Sequence, residues 1–249
     1  MQPVSRDGEA MRRPFFALLP LVAGLAACSA ITYQNQQQYK AKLRGEVAVF
    51  WLAEGDQNAG DGKFIYVPIR SDPLVLTWVD GKGQWRETRP GIMFTDGGSI
   101  PKFAQGFKGY SPWGYAPAYM VHDWVFEARQ CVRNGNASED QKQAVAGMNF
   151  DDTVRVMAQA IAVLVERKLV SDKGTAPSGV TAAVGTPIAR HLWEVDKTCN
   201  NSVQFAEIAR KYDALANGPR GLRDSQAMIR ILTQPSDGRQ PQLIGRMSF

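Results

Sequence analysis

Between Glu46 and Thr95 the chain is built of short β-branched and aromatic runs; beyond Pro101 that pattern stops and helical spacing takes over. This switch limits the possible folds more than any other feature. Val47-Ala-Val-Phe-Trp-Leu52, Phe64-Ile-Tyr-Val-Pro-Ile69 and Leu74-Val-Leu-Thr-Trp-Val79 read as strands. Asp61-Gly62 and Asp80-Gly-Lys-Gly83 separate them, and such residues supply the backbone angles a hairpin turn needs. Gln84 to Thr88 and Ile92 to Thr95 add two shorter runs, so an antiparallel sheet of four or five strands is expected.

The downstream half has its own punctuation. Gly114 to Cys131 is a long helical candidate, with Pro117 tolerated in its opening turn. Ser138 and Gln141 form a capping-box pattern that opens a second helix. Asp151, Val154, Ala158, Ile161 and Val165 then recur at helical spacing, widened by Met157 and Leu164. Further helices are predicted around Val180 to Lys197 and Val203 to Ala216. Strands first and helices after define an α+β class, a small antiparallel sheet followed by a helical half. The 44% apolar content suffices for one core, and no internal repeat is present.

The N-terminus bears on the compartment. Arg12-Arg13 precede an apolar run from Pro14 to Ala27 that is too short to span a bilayer, and small residues follow it. This is the layout of an export signal, with Met11 as the expected start. Leu25-Ala-Ala-Cys28 resembles a bacterial lipobox, which implies that residues 1–27 are removed and that Cys28 is acylated. The alternative is a buried N-terminal helix with an incidental cysteine. Ser29 rather than Asp after the cysteine resembles outer-membrane sorting, facing the periplasm. Membrane contact is thus expected through the lipid. Removal of residues 1–27 takes away Arg6, Arg12, Arg13, Asp7 and Glu9, so the formal charge falls from +5 to +4. That mild charge has no clustered basic stretch, which argues against a nucleic-acid partner.

Residues 28–45, rich in Gln, Asn and Lys, read as a polar tether, residues 46–216 as one domain, and residues 217–249 as a weakly ordered tail. In an exported chain the remaining cysteines, Cys131 and Cys199, suggest a disulfide; two separate buried thiols are the alternative.

Candidate chemistry concentrates in Phe94-Thr-Asp-Gly-Gly-Ser-Ile-Pro101 and Ala118-Tyr-Met-Val-His-Asp-Trp-Val-Phe126. His122 and Phe126 share a helix face, and Asp123 is turned by about 100° from His122. Histidine titrates near neutrality, so His122 could act as a general base if a carboxylate orients its ring. Asp151, at the head of an apolar stripe, is the expected partner; capping its own helix is the alternative. The Asp96-Gly97-Gly98-Ser99 turn, with Asp123, could offer oxygen ligands to a hard cation such as calcium, whereas zinc would require more His or Cys. Equally, Ser99 could simply cap a helix. Trp113 and Tyr115 are expected in the core or the site wall, and Tyr119 could serve either role.

These paired motifs resemble domain-of-unknown-function family 1353 of tailed phages and bacteria. Its pattern of Thr-Asp-Gly-Ala-Ser-Ile-Pro, then His-Asp, then a helix bearing Asp, is met by Asp96, Ser99, Pro101, His122, Asp123 and Asp151. The likeness covers residues 63–195, with Gly98 in place of Ala and Phe126 in place of Tyr. It implies a site and no reaction. A fainter likeness to the His-Asp site of secreted phospholipase A2 implies a base at His122, an orienting Asp151, and calcium at Asp123 with Gly97-Gly98; the cysteine framework of those enzymes is missing.

Two functions are therefore expected of different classes. One is a membrane-anchored hydrolase of an envelope ester. The other is a non-catalytic envelope or phage-derived structural protein in which the polar cluster is a satisfied internal network.

Overall fold

A computed structural model describes residues 31–52, 63–95, 114–171, 175–195, 199, 203–218 and 242–249. Cys28, the Asp96-Gly97-Gly98-Ser99 turn and Trp113 lie outside the described residues. The architecture is α+β. Its elements in chain order are α1 (Tyr33–Gln36), β1 (Lys42–Arg44), β2 (Glu46–Leu52), β3 (Lys63–Pro68), β4 (Val75–Val79), β5 (Trp85–Thr88) and β6 (Met93–Thr95). They continue with α2 (Ala116–Arg133), α3 (Glu139–Val145), α4 (Phe150–Glu166), α5 (Ala176–Val184), α6 (Pro187–Glu194), α7 (Val203–Asn217) and β7 (Gln242–Ser248).

The strands form two antiparallel sheets where one was expected: β1-β4-β5 and β6-β3-β2-β7. Gly45 sits at the crossing between them with φ +101°, and a Cβ there would fall 2.1 Å from the Pro73 carbonyl oxygen. Only glycine fits that approach and that backbone angle.

Alternation along β2 and β3 explains their unbroken apolar runs. Val47, Val49 and Tyr66 join the main core under the helices. Ala48, Phe50, Ile65 and Val67 form a second core with Tyr212 and Ala216 of α7. A sheet covered on both faces has no polar face to show. Helix α7 is fastened there by Asn217, whose amide donates to the Pro68 carbonyl at 3.0 Å and accepts from the Arg70 amide at 2.7 Å.

Three segment readings need correction. The expected tether is part of the body from residue 31 onward: Ile31, Tyr33 and Gln36 are buried, and β1 pairs with β4 in the register Lys42↔Thr77. Gln36 accepts a hydrogen bond from Gln159 of α4 at 3.0 Å, so a Gln-rich stretch that looked unstructured is held by amide pairing. The expected weak order of the tail fails at its end, where β7 pairs with β2 (Val47↔Met247) across a register irregularity at Val49/Phe50. The helix expected from Val180 to Lys197 is two helices. Pro187 cannot donate to a continuing ladder, and Thr186 caps the second helix through the Ala189 amide at 3.3 Å.

The β4–β5 turn binds the sheet to α4. Asp80 Oδ1 accepts from the Lys82 and Gln84 amides, both at 2.9 Å, and the Gly81 amide donates to Asp152 at 3.0 Å. Burial draws the Asp80 carboxyl upward, but those two amides and the charge of Arg86 outweigh it and hold the carboxyl below its usual range. A carboxyl depressed in the fold contributes stability that is complete above its unfolded value and is lost as the pH falls through the folded one. Urea midpoints are therefore expected to drop on acidification below about pH 4, and Asp80→Asn should flatten that drop. Identical acid profiles for both proteins would refute the assignment.

Candidate functional site

Helix α2 carries the candidate histidine. Tyr115 begins it without a side-chain cap and Pro117 occupies its first turn, where a missing N–H costs nothing. The helix is buried along most of its length because α3, α4 and the edge strand β6 pack around it. Gly91, just before β6, makes one of these approaches possible: a Cβ there would lie 2.7 Å from the Trp124 ring.

His122 is only 7% exposed. Its Nδ1 lies 3.4 Å from Asp123 Oδ1, long for a charge-assisted bond. Its Nε2 is buried and has no hydrogen-bond partner among the described residues. The ring packs on Phe126 with centroids 4.9 Å apart; Phe126 meets Trp193 of α6 edge-on at 5.2 Å, and Arg129 covers Trp193 at 5.3 Å. These contacts make a column joining α2 to α6. Phe126 fills the middle of this column with a ring that needs no polar partner. Asp123 is partly exposed and faces buried Tyr66 of β3; burial first, and then the Asp123 charge, push that phenol well above its usual value.

Asp151 does not partner His122. Its carboxylate accepts from Arg190 of α6 at 2.9 Å, on an outward edge where both side chains are substantially exposed. The period of α4 puts Asp151 at the boundary between the buried Val154/Ala158/Ile161 stripe and the half-buried Arg155/Ala162 edge, and Arg190 settles which way it turns. The buried carboxylate of this helix is instead Asp152. It accepts from the Asn149 amide at 3.1 Å, closing a capping box, and from Gly81 and Arg155. The Asn-x-x-Asp spacing that marks it was legible at residues 149–152.

Other residues that position α2 were not foreseen. Gln130 donates to the Leu192 carbonyl at 3.1 Å, and Trp193 closes the ring column. Neither has a local signature, since each is defined by a helix some sixty residues away. Cys131 of α2 is joined to Cys199, with Cα atoms 4.7 Å apart. Glu127 lies with these two sulfurs, all within 4.8 Å of one another, the one grouping of metal-ligand type among the described residues. Sulfurs bonded to each other are not thiolates, so they do not make a metal site in this state. Around Asp123 the described residues supply no such group, and the expected co-ligand Asp96 lies outside them.

Chemically, the described arrangement offers an imidazole with a loosely associated carboxylate at Nδ1 and a buried, unbonded Nε2. It lacks the orienting second carboxylate that a base-activated water attack uses. No protein-family model, no curated protein and no solved structure matches the chain.

Proposed function

We propose that the chain is a lipid-anchored protein of the bacterial envelope, exported and acylated at Cys28, and non-catalytic at His122. The lipobox-like Leu25-Ala-Ala-Cys28 supports the anchoring. The observation that carries the non-catalytic reading is the closed setting of His122, with Asp151 committed to Arg190. In this reading the imidazole is a packing element of the α2–α6 ring column. The likeness to family 1353 is compatible with a phage-derived structural origin.

A second reading keeps His122 as the base of an envelope-ester hydrolase. The observation in its favour is Nε2, a buried nitrogen without a partner among the described residues, the atom a substrate or water would engage. Calcium held by Asp123 and Asp96 belongs to this reading.

One set of proteins tests both. Cys28→Ser is expected to accumulate as an unprocessed precursor without acyl label. The full-length protein is expected to show no ester or phospholipid hydrolysis above that of His122→Ala, with calcium or with chelator. His122→Ala is expected to lose about 2–3 kcal/mol of stability through the cavity it leaves in the column. Calcium-dependent hydrolysis that disappears in His122→Ala, with the fold intact, would overturn the non-catalytic reading.

A further inference from the structure

The short chain between the acylated cysteine and the folded body has a geometric consequence. Ser29 and Ala30 alone separate Cys28 from Ile31, and Ile31 is already buried. Three Cα–Cα steps reach at most about 11 Å. A free tether running through residue 45 would instead allow a mean excursion of about 23 Å. A diacylated cysteine rests at the headgroup level, so the beginning of α1 is held within one short chain length of the bilayer surface.

What adjoins α1 is suited to that position. Gln34 of α1 donates to Ser178 of α5 at 2.6 Å, and Ala182, four residues on along the same helix face, is exposed. Residues 175–189 contain no charged side chain, and Ile188 within them is 74% exposed. Residues 31–45 contain no acidic residue, and their Lys40 and Lys42 are exposed. An uncharged surface with small apolar groups, flanked by exposed lysines, complements an anionic phospholipid headgroup layer, and the bordering carboxylates of Glu87 and Asp151 are paired with Arg44 and Arg190.

We infer that the α1–α5 face lies directly on the phospholipid surface, so that the lipid orients the protein as well as retaining it. The body then presents a fixed side to the aqueous space, and helix α3 is not among the elements packed extensively on α1 or α5. It packs on α2, and α2 in turn packs on α4, the helix against which α1 rests. This inference rests on the reading of Cys28 as acylated.

The test uses the full acylated chain in vesicles of phosphatidylethanolamine and phosphatidylglycerol that contain nitroxide-headgroup lipid. Single cysteines replacing Gln34, Ala182 and Glu139 carry a fluorophore; Glu139 is 87% exposed at its side chain and lies on α3. Loss of fluorescence is expected at positions 34 and 182, with position 139 remaining at its level in nitroxide-free vesicles. A Gly-Ser insert of about twenty residues between Ala30 and Ile31 allows about 25 Å of excursion and should abolish the loss. If palmitate labels the protein while the three positions respond alike, the orientation is wrong and the anchoring stands. If palmitate does not label it, the anchoring reading fails and this inference fails with it.

Discussion

Replacing Gln159 with leucine is expected to lower the unfolding free energy by about 4 kcal/mol, from a change that leaves side-chain volume nearly unchanged. Gln159 is completely buried in the middle of α4. Its amide accepts from the Val79 N–H at 2.9 Å, donates to the Val79 carbonyl at 2.8 Å and donates to Gln36 at 3.0 Å. The register explains why a helix residue serves a strand. Val79 pairs with Trp85 of β5 on one side, but strand β1 begins at Lys42, opposite Thr77, so on the other side no strand reaches Val79. The primary amide of Gln159 has one donor and one acceptor side, and it takes the place of the missing peptide unit. Leucine would leave three buried polar groups unmatched, each costing about 1–3 kcal/mol, with some relief from relaxation. Urea denaturation measures the loss, and hydrogen exchange at the Val79 amide should accelerate with it. A change below about 0.5 kcal/mol, the range of an inconsequential surface substitution, would refute this account.

Cys199→Ser is expected to cost a similar amount, about 4 kcal/mol on the chain-entropy model. The Cys131–Cys199 bond closes a loop of 68 residues that contains α3, α4, α5 and α6. Opening it frees the unfolded chain, and it leaves the Cys131 sulfur buried beside Glu127 and Gln141. The check is a paired denaturation series, wild-type with and without reductant against Cys199→Ser. The mutant should be indifferent to reductant, and the reduced wild-type should approach its midpoint. If reductant leaves the wild-type midpoint unchanged, the bond does not contribute to stability. Because Gln159 and Cys199 share no bonding partner among the described residues, the two losses should add to within about 0.5 kcal/mol.

Much of this architecture was legible in the residue order. The β-branched runs of β2, β3 and β4 stand where they were read, as do the Ser138/Gln141 capping box and the long helix that carries His122. The site was less so. His122 and Asp123 are where helical geometry puts them, but the partner predicted for the ring, Asp151, turns to Arg190. That error came from treating a boundary position on α4 as a buried one. A rotation of some tens of degrees decides between the two, and the nearest cation on α6, not the period of α4, makes the choice.

The same distinction separates what each level of description settles. Caps, turns and strand runs depend on groups within about four residues, so propensity and hydrogen-bond chemistry determine them without reference to the rest of the chain. The Asp80 turn and the Asn149/Asp152 cap belong to this class. Pairings between distant segments follow another rule. Residues 242–248 carry no strong strand pattern and become a strand because β2 offers them an open edge. The Gln-rich stretch after residue 31 looked like a solvated tether until Gln159 supplied a buried amide for Gln36 to meet. Whether His122 is exposed or enclosed likewise depends on α6 and on the Phe126–Trp193 contact, which brings together residues 67 positions apart. Such contacts form when the gain from burial exceeds the entropy of closing long loops, a balance set by the assembled core rather than by any local run of residues.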